Sequence, residues 1–406
     1  MDIAIMLIFG LILLLALFLP WMEGLLKKSK YLFVAVIALA LAFALRALCM
    51  NYASGDYNSF LAHWVEYFRT NGGFAGLSSS IGNYNIPYLY FLAFFSYLPL
   101  NDLHLIKLLS ILFDVIMAFG MMKLAGVYTR SVPKRLAAYL ITLLLPTVLL
   151  NGALWGQCDS IYVAFAILAF WLVLSGRPKL SMVFMALSFG FKLQAVFIMP
   201  LYLVLLFAKK IKFWHYFVFP LTYIALIMPA VALGRPFLDT LTLYFSQAGS
   251  IGSGLNYNSP SIFALISGSD NHSALSAAFL AVAFLFIFII FFWAWRKRQN
   301  LNNEALLGIA LLFAIGVPFL LPHMHDRYFF MADVLTLLPA VLYARYAPVT
   351  VFVSFASLLC YGSYLTQHYV LPLKYGSFAL IAVLLIIFTF TAEKLGSRKH
   401  APRKYQ

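Results

Sequence analysis

The chain has 406 residues, 64% of them hydrophobic and only 10% charged, with a mean hydropathy of +0.93. Soluble domains carry roughly 25% charged residues, so a soluble globular protein is excluded. The formal net charge of +15 sits in short loops, which reads as membrane topology and contact with anionic lipid rather than as nucleic-acid binding.

Apolar runs of about 20 residues recur along the chain without the weak alternation of a barrel, so an all-α integral membrane protein is expected. The first run, "IAIMLIFGLILLLALFLPWM", lacks a basic leader and a small-residue cleavage site and is expected to be retained. Basic loops at Lys27, Lys28 and Lys30, at Arg130, Lys134 and Arg135, at Arg177 and Lys179, at Lys209, Lys210 and Lys212, and at Arg296 to Arg298 are placed in the cytoplasm. Spans are then expected near 3–21, 31–50, 103–125, 136–152, 160–175, 180–208, 213–233, 274–295, 305–322, 328–346, 348–365 and 376–392. The run 180–208 is too long for one span, and "SFGFKLQ" is its expected turn. The run 87–100, short and bounded by prolines, is expected to be interfacial or re-entrant. About 11–13 transmembrane helices result, in a membrane domain over 1–392 without internal repeats, followed by a basic cytoplasmic tail over 393–406. Cys49, Cys158 and Cys360 show no CxxC or metal-ligand spacing and imply no disulfide framework.

This topology leaves the mixed polar chemistry on the outer face. The first outer loop opens with "NYASGDYNSFLAHW", where Asp56 is either a working carboxylate or a helix N-cap. From His63 the spacing suits a short amphipathic helix at the membrane surface. "LLPTVLLNGALWGQCDSIY" clusters Trp155, Gln157 and Asp159 between two spans; Asp159 as a cap and Trp155 as an interfacial anchor are the plain alternatives. Lys192, alone in an apolar stretch, needs an anionic partner or a path to the interface. "LLPHMHDRYFF" brings His323, His325, Asp326 and Arg327 to an outer helix end. The i, i+2 histidines do not make a helical metal site, whereas Arg presents a planar fork to phosphate. Asp114 and Asp333 lie within spans and read as structural or functional partners of neighbouring helices. The Gly/Ser/Asn-rich stretch from 246 to 273 suits a cover over a site or a connector.

Taken together, "SGDYNSFLAHW", "NGALWGQCDSIY" and "PHMHDRYFF", with "FKLQAVFIMP" in support, resemble the GT-C glycosyltransferases that use polyprenyl-phosphate sugars. The resemblance is closest to the branch of GPI mannosyltransferases and dolichyl-phosphate-glucose-dependent glucosyltransferases. It implies a GT-C helical bundle with interfacial helices in the first outer loop, and an inverting transfer with Asp56 as general base. It also implies Lys192, Arg327, His325 and Arg46 on the donor phosphate, and Asp159, Gln157, Trp155, His323 and Asp326 in substrate binding. The partners implied are a polyprenyl-phosphate monosaccharide donor, a glycolipid or envelope glycan acceptor, and membrane lipids. The first loop carries one acid, "GDY", where some members have a pair, so no metal and no cofactor are expected. A bacterial plasma membrane with an extracytoplasmic site is favoured. A transporter or flippase of lipid-linked sugars, and a glycan polymerase or ligase, remain as competing readings; the absence of a repeat and the outer position of the polar residues argue against transport.

Overall fold

The computed structural model describes residues 2–82, 84–245, 252, 254–266 and 272–396. Most of the proposed basic tail (397–406), Asp270 and parts of the Gly/Ser-rich stretch lie outside the described residues. The protein is 79% helical. In hydrocarbon every backbone N–H and C=O must be satisfied within the segment, and long apolar runs answer by forming helices.

Eight helices among the described residues are long and apolar enough to cross a membrane: Ile3–Met22, Ser29–Cys49, Asp102–Tyr128, Phe213–Ala232, His272–Arg296, Asn303–Leu320, Ala344–Thr366 and Lys374–Gly396. A ninth span is bent by 43° between Val132–Leu144 and Pro146–Trp155. Leu145 precedes a proline and adopts ψ 127°, outside the helical region. The other expected spans are shorter apolar helices: Asp159–Leu174, Pro178–Phe191, Leu193–Phe207 and Phe330–Leu342. The expected turn at "SFGFKLQ" falls at Lys192, which is extended (φ −154°, ψ 133°) between two helical stretches.

The proline-bounded run forms a helix at Ile86–Phe95, about 15 Å long and so half of a bilayer core. It is buried against Ala62–Thr70, Pro178–Phe191 and Val218–Ala232 rather than lying on a surface. The amphipathic helix expected from His63 is present as Ala62–Thr70, with Trp64, Val65 and Phe68 on its buried side.

The helices are arranged by burial. Asp102–Tyr128 and Asn303–Leu320 are the inner posts, each with an apolar window 83% buried, whereas His272–Arg296 is 11% buried and faces outward. Asp102–Tyr128 packs along Val132–Leu144 and Asp159–Leu174, and Asn303–Leu320 along Lys374–Gly396. A two-residue parallel bridge, Asn256–Tyr257 with Met324–His325, ties the 254–260 segment to the start of the "HDR" loop.

Candidate active site

Two π-helical turns frame the site. Tyr57–Leu61 follows Asp56 directly, and Leu149–Trp155 ends the bent span. Such turns insert a residue into the helical ladder and re-aim the side chains beside them. The second is closed by Gly156 at φ +79°, a left-handed conformation that a side chain would strain. That closure turns Gln157 back toward the first loop. Ser54 Oγ donates to the Trp155 carbonyl at 2.6 Å and joins the two turns.

Asp56 makes no capping bond. Its Oδ2 instead accepts from Trp155 Nε1 at 3.0 Å and from Gln157 Nε2 at 2.5 Å, while Oδ1 accepts from Tyr364 Oη at 2.8 Å. Three donors fix the carboxylate, and one lone pair of Oδ1 is left for a further hydroxyl. Asp159 likewise does not cap its helix. It takes a bond from Asn151 Nδ2 at 2.9 Å and is paired with Lys192, both side chains being almost wholly buried.

Arg327 stands between these groups. Its guanidinium lies 3.8 Å from Asp56, 3.7 Å from Asp159 and 3.5 Å from Asp326, and its Nε has no hydrogen-bond partner. It also lies over the Trp155 ring at 5.5 Å. Arg327 and Lys192 line a cavity of about 550 Å³ together with His323, His325, Tyr84, Tyr257, Tyr328, Gln194 and the apolar Phe191, Phe197 and Leu321. Its size and mixed lining suit a small polar head joined to an apolar body. One wall is cationic, and the far side of that wall is Asp56.

The loop outside the spans is electrostatically tuned. Burial pushes His325 down to about 4, with Arg327 and Lys192 adding to the effect, so at neutral pH it is an uncharged imidazole. Its ring stacks on Tyr257 at 4.9 Å. Burial pushes Asp326 up to about 6 against the pull of Arg327.

The geometry thus brings together Asp56, Trp155, Gln157, Asp159, Lys192, His325, Asp326 and Arg327, but it redistributes their roles. Trp155 is fully buried, with Tyr364 stacked at 4.0 Å on its ring and Arg327 lying over it, so no free face remains for a sugar. Gln157 and Asp159 are also buried. These three hold other site residues and do not face the cavity. His323, at φ +62°, lines the cavity while its Nδ1 sits 2.6 Å from the Gly254 carbonyl and its Nε2 2.9 Å from Ser276 Oγ. Both ring nitrogens are therefore occupied. Arg46 is not part of the cluster: it is fully buried, bonded to Asp114 at 2.8 and 3.2 Å and to the Ala42 and Leu143 carbonyls. Its position in the helix, ten residues before Asp56, puts it deeper among the spans, where it neutralises Asp114 instead of meeting a phosphate.

Tyr364 and Tyr84 are site residues that the sequence did not single out. Tyr84 Oη donates to Gln157 Oε1 at 3.2 Å and lines the cavity. Each tyrosine stands in an aromatic-rich segment with no charge beside it, so only the fold reveals its partner.

A family model described as Glycosyltransferase family 87 matches residues 83–322, more than half of the chain. That range contains Trp155, Gln157, Asp159 and Lys192; Asp56 lies outside it, 27 residues before its start, and Arg327 five residues past its end. No curated protein matches the chain. The chain belongs to glycosyltransferase family 87, a family of polytopic membrane glycosyltransferases of the GT-C type.

Proposed function

We propose that this glycosyltransferase moves one monosaccharide, of mannosyl or glucosyl type, from a polyprenyl-phosphate carrier to a lipid-linked or cell-envelope acceptor. The transfer takes place at the extracytoplasmic face of a bacterial plasma membrane, and it inverts the anomeric centre. The observation that carries the reading is the shared wall: Arg327 lines the cavity and lies 3.8 Å from Asp56. A donor phosphate against Arg327 and Lys192 brings its sugar beside the carboxylate.

In the proposed reaction Asp56 Oδ1 takes the proton of the acceptor hydroxyl, whose oxygen attacks the anomeric carbon from the side opposite the phosphate. The bond from that carbon to the phosphate oxygen breaks, and the departing polyprenyl phosphate keeps the electron pair. Lys192 and Arg327 meet its negative charge, with neutral His325 as a hydrogen-bond donor. Asp159 and Asn151 hold Lys192 in place, and Trp155, Gln157 and Tyr364 hold Asp56. Arg327 occupies the space between the three carboxylates, which supports a reaction without a metal.

The test is to supply the purified protein with polyprenyl-phosphate mannose or glucose and envelope lipids, with and without a chelator. Expected are release of polyprenyl phosphate with stoichiometric sugar transfer, inverted anomeric configuration, and no loss on chelation. Retention of configuration, or activity only with pyrophosphate-linked donors, would overturn the reading.

A further inference from the structure

The Asp102–Tyr128 helix carries His104, Lys107, Ser110 and Asp114 at intervals of three, three and four, and so on one face. Each reaches a different neighbour. Asp114 pairs with Arg46 at 2.8 Å. Ser110 Oγ donates to the Gln157 carbonyl at 2.7 Å, and His104 Nε2 lies 3.0 Å from Asn51 Oδ1. Lys107 Nζ donates to the carbonyls of Cys49 and Tyr52, both at 2.6 Å.

Lys107 is fully buried, and among the described residues it makes no ion pair. An ammonium without a carboxylate is costly inside a membrane protein, so its contacts indicate what it is kept for. The Cys49 carbonyl ends the Ser29–Cys49 helix, where carbonyls lack helical partners and the dipole favours a cation. Tyr52 lies two residues before Ser54, whose hydroxyl bonds Trp155, and four before Asp56. A Cβ at Gly156 would come 3.9 Å from Lys107 Cγ, so the second loop passes close to the same side chain. Lys107 therefore bonds the first of the loops that build the Asp56 site and lies close to the second, but it lines no part of the cavity.

We propose that Lys107 is a positioning residue for the transfer: by holding the Cys49 and Tyr52 carbonyls it sets the path of the loop that delivers Asp56 to Trp155, Gln157 and Tyr364. The inference rests on the reading of Asp56 as the base. A carboxylate displaced by an ångström no longer meets the acceptor hydroxyl in line, and such misplacement reduces turnover more than binding.

The experiment compares Lys107→Met, Lys107→Arg and Asp56→Asn in the full-length protein. It reads kcat and KM for donor and acceptor, and the rate at which a maleimide labels Cys49, the one partly exposed cysteine beside buried Cys158 and Cys360. Lys107→Met is expected to lower kcat on the order of 100-fold with donor KM unchanged and to speed Cys49 labelling, and Lys107→Arg to restore both toward wild type. Wild-type kcat in Lys107→Met would overturn the proposal, as would a loss of kcat that Lys107→Arg does not repair. If Asp56→Asn turns over normally, the base reading fails, while Cys49 labelling still decides whether Lys107 orders the loop.

Discussion

Lys192 forms a buried ion pair with Asp159 and also faces the cavity, so it has two functions to lose. Removing one partner of such a pair leaves an uncompensated charge and costs about 3–5 kcal/mol. Lys192→Ala is accordingly expected to lower the melting midpoint and weaken donor binding together. In the double variant Lys192→Met, Asp159→Asn the melting midpoint should recover while donor binding stays weak; recovery of both would mean that Lys192 does not meet the donor. His325 offers a pH signature. Its folded value of about 4 lies below the usual 6.5, so the unfolded chain takes up a proton first as pH falls. Its contribution to stability is full above about 6.5 and is lost as pH falls toward about 4. Asp326, raised to about 6, works with the opposite sign over part of that window. Comparing wild type with His325→Gln isolates the histidine: melting midpoints measured from pH 7.5 to 4.5 should fall less steeply in the variant. Parallel curves would contradict a buried neutral imidazole.

Among the elements, the long apolar helices were legible because composition alone forces them, and their observed ends fall within a few residues of the expected ones at Ile3–Met22, Ser29–Cys49 and Ala347–Thr366. The broken elements were legible where a charge marked them, as at Lys192, whereas the bend at Pro146 falls inside the span expected unbroken over 136–152. The break at Thr336, between Phe330–Leu335 and Leu337–Leu342, sits one turn before Pro339, whose missing N–H leaves the Leu335 carbonyl without its helical donor, yet the span was expected unbroken over 328–346. Asp56, Lys192 and Arg327 stood out because polar groups are rare in so apolar a chain. Tyr364 did not, since its partner Asp56 is 308 residues away and a tyrosine near a span end ordinarily reads as an interfacial anchor. Arg46 was misplaced for the converse reason: closeness in sequence to Asp56 does not survive the rise of a helix. Arg46→Met should lower the melting midpoint, because it strands Asp114, by an amount matching about 3–5 kcal/mol, with donor affinity per folded molecule unchanged. Lost affinity with unchanged stability would return Arg46 to the phosphate site.

At the scale of the whole molecule, the peripheral helices expose apolar faces, and of the two inner posts Asp102–Tyr128 carries the polar stripe that bonds both candidate active-site loops. Family membership makes the chain a glycosyltransferase, and the competing transporter reading is not needed to explain its buried charges. The proposed orientation follows from the basic loops and is directly checkable. A cysteine at Glu66, whose side chain is 58% exposed, should react with an impermeant thiol reagent added outside intact cells, and one at Lys210 only after permeabilisation. The reverse pattern would move the site to the cytoplasm. The most direct measurement of all is single-turnover transfer by Asp56→Asn beside wild type, with polyprenyl-phosphate sugar binding followed in the same samples. The expected result is a loss of transfer on the order of 100-fold to 10,000-fold with donor binding retained. Undiminished transfer by Asp56→Asn would contradict the assignment of Asp56 as the base.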